Sequence, residues 1–312
     1  MAAIILLRPV TRPDHPPAEP ARRLVSLIPV RRMDMVSPVV QAPLPLFLGP
    51  ERPPDYYHNF MTYKYFIPFV VGLALWLLSQ IFFFFPVAFY SSLALGALLI
   101  VFSVRYFARR SPVRHWPLFL IAPLFFFLSF SVYASLLTGR FWVQFIFLLD
   151  AWFVANYLHH LSAYFVDQSA AREKKLESLL LNGVWLTVLA VAASLFGLPA
   201  FIDTPFYLLV ALFLLVVFFL WVQLLPLVKV KFRSAAPVLF VSLAVLGALV
   251  EAISLFPLNF NILGFLVAIF AYFLLTVNRL FWQGNLNRRA LKWPLVLSII
   301  LTILSLLTAR WL

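Results

Sequence analysis

The stretch "FYLLVALFLLVVFFLWVQLLPLV", Phe206–Val228, carries no charged residue over 23 positions, and Lys229, Lys231 and Arg233 follow at once. At ~1.5 Å of rise per residue a helix of this length covers ~34 Å, enough to cross the ~30 Å hydrocarbon core of a bilayer. A barrel strand would be about ten residues long and would alternate apolar with polar positions. This run does neither, so it reads as a membrane-spanning helix that ends at a basic loop.

The same pattern recurs along the chain. Of 312 residues, 64% are hydrophobic and 11% charged, whereas soluble domains sit nearer half apolar and a quarter charged. Nine apolar segments are expected to span: Tyr65–Phe85, Val87–Val104, Trp116–Leu137, Phe141–Tyr164, Ser178–Leu198, Phe206–Val228, Val238–Leu258, Ile262–Asn278 and Trp293–Ala309. Only Pro86 separates the first two, which predicts a tight helical hairpin. The fold class is therefore an all-α polytopic integral membrane protein, a bundle of about nine transmembrane helices.

Loop charges test that count. The basic residues fall before the first span (Lys64 and the arginine-rich segment behind it) and in four loops: the second (Arg105, Arg109, Arg110, Arg114), fourth (Arg172, Lys174, Lys175), sixth (Lys229, Lys231, Arg233) and eighth (Arg279, Arg288, Arg289, Lys292). The first, fifth and seventh loops carry none. The third has only Arg140 and the C-terminus only Arg310. By the positive-inside rule this alternation puts the N-terminus in the cytoplasm and the C-terminus outside. It also accounts for the net charge of +13 without nucleic acid, and a bacterial cytoplasmic membrane is the expected location.

Residues 1–60 differ from 61–312. They hold 12 of the 23 prolines and seven arginines, and stretches such as "TRPDHPPAEPARR" cannot build a packed core. They read as a flexible cytoplasmic tail. Met33, Met35 and Met61 offer alternative starts, so the tail can also be an over-extended beginning. The transmembrane domain is 61–312.

Several chemistries are excluded or left without a carrier. There is no cysteine, hence no thiol nucleophile, disulfide or thiolate metal site. No GxGxxG, GxxxxGK[ST], HExxH or GxSxG occurs. The longest internal loop, Phe165–Glu177 on this count, is too short for a soluble catalytic domain. No cofactor and no metal site is expected.

The polar residues inside spans carry what functional signal there is. In "LLDAWFVANYLHHLSAYFVD", Leu148–Asp167, helical geometry sets Asp150 at 0°, Tyr157 at about −20°, Tyr164 at about −40°, His160 at about −80°, Asp167 at about −100° and Asn156 at about −120°. These form one polar stripe, and His159 lies on the opposite side at about 180°. His159, His160, Tyr164 and Asp167 fall at the cytoplasmic edge, where interfacial anchoring explains them. Asp150 lies ~13 Å in, near the bilayer centre. A carboxylate there costs at least ~2.5 kcal/mol. Glu251, in "LGALVEAISLF", falls ~10 Å from the outer face. No Lys or Arg inside a span neutralises either acid, so each must hold a proton, find neutral hydrogen-bond donors or bind a cation.

Other polar residues read more plainly. Ser129, Ser131 and Ser135 suit bonds back to their own helix. Asn182, Gln223 and Asn278 lie toward the cytoplasmic ends, where Asn182 and Gln223 could line a vestibule. Trp116, Trp142, Trp282, Trp293 and Trp311 sit at span ends as aromatic belts do.

Three functions remain open. A permease or transporter would use Asp150 and Glu251, with Asn156, Tyr157 and His160, as a proton- or cation-linked pocket for a small molecule. That reading requires both carboxyls to face one cavity. A membrane scaffold would use the same acids only as packing contacts beside membrane-protein partners. An intramembrane lipid-processing enzyme would need a base or metal set near His160. An enzyme is the less expected outcome, and the lipid bilayer is the one partner common to all three.

Overall fold

Lipid offers no hydrogen bonds to a backbone, so each apolar run closes its own N–H to C=O ladder and becomes a helix. The structure, a computed structural model, describes residues 54–109 and 115–309. The tail read over 1–60 lies outside the described residues up to position 53. From Pro54 onward the chain is helical.

Ten α-helices follow one another: α1 Pro54–Phe84, α2 Pro86–Ala108, α3 Leu118–Ser135, α4 Arg140–Val166, α5 Ala170–Gly197, α6 Phe206–Val222, α7 Leu225–Val228, α8 Phe232–Ser254, α9 Phe260–Trp282 and α10 Arg288–Thr308. All but the one-turn α7 are long and apolar enough to cross a membrane, nine among the described residues. The all-α, nine-span architecture is thus present, and no strand occurs among the described residues.

Proline marks two of the joints. Phe85 leaves the helical region (φ −141, ψ 82) and Pro86 opens α2, a position where its missing N–H is not needed. α1 folds straight back onto α2, the expected hairpin. The sixth span is not one helix to Val228 as the unbroken apolar run suggests. α6 stops at Val222 with Gln223 as its cap, and α7 resumes at Leu225 with Pro226 in its first turn. Pro226 has no N–H to continue the ladder. Lys229 then closes α7 in the left-handed region at φ 58.

The fourth loop is also shorter than expected. Only residues 167–169 separate α4 from α5, because the charged segment from Ala170 continues as helix below the apolar part of the span. Glu173 and Glu177 on that extension pair with Lys229 (3.5 Å) and Arg279 (2.7 Å).

α5 is the hub, packed on α3, α4, α6 and α9. α4 packs on α1, α3 and α5. α8 packs on α6 and α9, and α10 on α9. Two of these contacts are backbone-close. A methyl added to Gly264 of α9 would lie 2.5 Å from the Ala193 amide nitrogen of α5, and one added to Gly72 of α1 would lie 2.9 Å from the Ala151 carbonyl oxygen of α4. Small residues let transmembrane helices meet at this range, where dispersion replaces the hydrophobic driving force that lipid removes.

Candidate functional site

The inward face of α4 is almost wholly apolar. Val143, Phe147, Val154, Tyr157 and Leu161 lie on it, all buried. Asp150 stands in the middle of that stripe, 1% exposed. Its Oδ1 has no hydrogen-bond partner, and no salt bridge among the described residues reaches it.

Two fixed contacts give the level of the carboxyl. Gly72 of α1 meets Ala151 and Ala155 of α4, and farther out Gln144 Nε2 donates to Gln80 Oε1 at 2.6 Å. This antiparallel register sets Asp150 level with Leu75. Leu75 and Phe127 of α3 both crowd Gly96 of α2, so the α1 side chain at that level packs against hydrocarbon. Above it, toward the start of α4, the rings of Phe82, Phe83, Phe89 and Phe147 cluster with centroids 5.0–6.2 Å apart, three of the pairs edge to face and Phe89–Phe147 tilted. Below it, Phe126 stacks on Phe153 at 3.9 Å, and Tyr157 donates its hydroxyl to the Phe119 carbonyl at 2.8 Å.

The other expected site residues are dispersed. Tyr157 is buried on the same stripe two turns along from Asp150, and its hydroxyl is spent on α3. Asn156 and His160 are half-buried. The His159 and His160 rings lie 5.3 Å apart at 71°, so placing them on opposite faces of the wheel does not separate them: long side chains from adjacent positions still meet. No group of three or more His, Asp or Glu that could hold a metal occurs among the described residues.

Glu251 does not join Asp150. It is exposed on the outside of the bundle, on a helix that packs against α6 and α9 rather than α4. The expectation of one cavity shared by both carboxyls is therefore not met. The physical reason is local. α8 ends at Ser254, not at Leu258, so Glu251 stands one turn from the helix end, where its side chain can reach the interface.

Two amides that matter carried little signal. Gln80 and Gln144 are the polar side chains that bridge α1 to α4 next to Asp150, and each interrupts an apolar run. Of the serines, Ser129 and Ser135 bond back to their own helix, while Ser131 is fully buried without a partner. At the other end of the bundle Ser242 donates to Asn278 Oδ1 at 2.9 Å. Gln223 is buried there with neither amide atom bonded among the described residues, and Asn182 is exposed.

No family model matches this chain, and neither a curated protein nor a solved structure matches it. The functional reading rests on the site alone.

Proposed function

We propose that, with the two-carboxyl pocket set aside because Glu251 lies on the outside of the bundle, this multi-pass protein moves a proton, or a small solute linked to a proton or cation, with the Asp150 carboxyl alone as the group that takes up and releases the charge. Its membrane is a bacterial cytoplasmic one, with the N-terminus inside, as the basic loops argue. The observation that carries the reading is a single one: Asp150 is buried in mid-span, and among the described residues nothing bonds its Oδ1 or pairs with its charge. An unmatched carboxylate in hydrocarbon is too costly to keep, so only an incoming proton or cation can neutralise it. Intramembrane acids of this kind mark ion and proton pathways. The revised site is Asp150 with the Gln80–Gln144 pair on its outer side and Tyr157 on its inner side. Glu251 is outside it.

The test is proton movement in proteoliposomes of the full chain. A potassium-diffusion potential is imposed with valinomycin and the internal pH is read from entrapped pyranine. The wild-type protein and Glu251→Gln should acidify or alkalinise the lumen faster than empty vesicles. Asp150→Asn should match the empty vesicles. Equal rates for wild type and Asp150→Asn would reject the proposal.

A scaffold role is the second reading, favoured by the close packing of Leu75 and Phe127 against Gly96. It predicts no flux from any of the three proteins.

A further inference from the structure

At the basic end of the α1–α2 hairpin a groove of about 310 Å³ is lined by Ile67, Phe102, Ser103, Arg105, Tyr106 and Arg109. Four of these are one stripe of α2. Phe102, Arg105, Tyr106 and Arg109 stand at i, i+3, i+4 and i+7, the spacing that puts side chains on one helix face. The stripe changes character along its length, apolar at Phe102 and doubly cationic by Arg109. Ile67 of α1 forms the facing wall.

Arg105, Tyr106 and Arg109 are exposed, and among the described residues neither arginine pairs with an acid. Ser103 is no competitor for a ligand, since its hydroxyl already bonds the Leu99 carbonyl at 2.7 Å. Three residues that carry donor groups therefore line a groove that Phe102 and Ile67 line with hydrocarbon.

We infer that this groove holds the headgroup of an anionic phospholipid, with Arg105 and Arg109 on its phosphate and the first part of an acyl chain along Phe102 and Ile67. Guanidinium groups suit phosphate because their planar N–H pairs match two of its oxygens. The C-terminus of α2 opposes this with the negative end of its dipole, about half a charge. Two full positive charges outweigh it. A soluble phosphate would use the arginines and leave the apolar wall bare, so the groove as a whole fits a lipid.

Native mass spectrometry of the full chain, released from detergent micelles, tests the assignment. Phosphatidylglycerol and phosphatidylcholine of identical acyl chains are titrated in turn. The wild-type protein should hold phosphatidylglycerol at least about tenfold more tightly, the scale expected of two interfacial cations. The double variant Arg105→Gln/Arg109→Gln should lose that preference and Arg105→Lys/Arg109→Lys should keep most of it. Arg140→Gln should change nothing, because its guanidinium sits over the Phe83 ring at the opposite end of α2. Equal affinity of the wild-type protein for both lipids overturns the inference even if the glutamine variant does not fold. So does a preference that survives in a folded glutamine variant. Full displacement of the lipid by glycerol 3-phosphate at equal concentration would reassign the groove to a free anion.

Discussion

Gln144 and Gln80 share one hydrogen bond of 2.6 Å between α4 and α1, less than two turns from Asp150. Gln80 also reaches back from its own Nε2 to the Trp76 carbonyl at 3.3 Å. The pair is thus the end of a short polar chain that pins the register of the two helices beside the buried acid.

Breaking it singly should cost more than removing it whole. Gln80→Leu or Gln144→Leu leaves one half-buried amide without its partner, and each should lower stability by ~0.5–2 kcal/mol. The double variant should recover part of that loss, with a coupling of about 0.6–1.7 kcal/mol, the range found between membrane helices. Reversible unfolding in mixed micelles gives all four corners of the cycle, and a coupling of zero would show that the bond contributes nothing.

Asp150 should behave in the opposite way. Its carboxyl bonds to nothing among the described residues, so Asp150→Asn strands no donor or acceptor elsewhere, and Asp150→Leu replaces a polar group by hydrocarbon on an almost wholly apolar face. Both should unfold within about 1 kcal/mol of the wild type or above it. Losses larger than about 2 kcal/mol in both would mean that the carboxyl holds helices together, and the scaffold reading would gain.

Tyr157 separates cleanly from its neighbour. Its hydroxyl bonds the Phe119 carbonyl at 2.8 Å inside the core, so Tyr157→Phe keeps the ring and removes one buried bond. A loss of about 1 kcal/mol is expected. If proton flux survives in Tyr157→Phe while it is lost in Asp150→Asn, Tyr157 acts on the packing of α3 and not on the charge.

Gly264→Ala should be the most damaging single methyl. The new carbon would meet backbone atoms of Ala193 at 2.5 and 2.6 Å, and backbone cannot step aside as a side chain can. Overpacking of this kind costs about 1–3 kcal/mol. Gly247→Ala is the matched control, since its methyl would meet only the Leu214 side chain, at 3.2 Å. Thermal unfolding in detergent should show a clear drop for the first and a small one for the second.

The span count was legible because lipid leaves an apolar run no other choice than a helix, and Pro86 and the loop arginines punctuate those runs. Rotation about the helix axis was not legible. Away from its ends α8 carries two polar side chains, Ser242 and Glu251, on opposite sides of the helix, and the sequence does not say which of the two faces the bundle. The depth of Glu251 was misjudged as well, because "LFPL" after Ser254 is as hydrophobic as the helix before it while its backbone is no longer helical. Asp150 was legible as unusual, since a charge in mid-span stands out against its neighbours. The Gln80–Gln144 bridge carried the same signal without the charge, and neutral amides are easily lost among phenylalanines. The break at Gln223 hid for a similar reason: Pro226 was visible, but Leu224, Leu225, Leu227 and Val228 keep the run apolar across it.

The close approach of Gly72 to Ala151 has a mechanical consequence. Where backbones touch, neither helix can slide along the other without climbing over a side chain, so α1 and α4 are bound to travel as one body, and Gly264 imposes the same on α5 and α9. Between the two clamped pairs α3 packs on both α4 and α5, and its contact with α4 includes the stack of Phe126 on Phe153 at 3.9 Å, so a movement of one pair against the other would have to shear that stack.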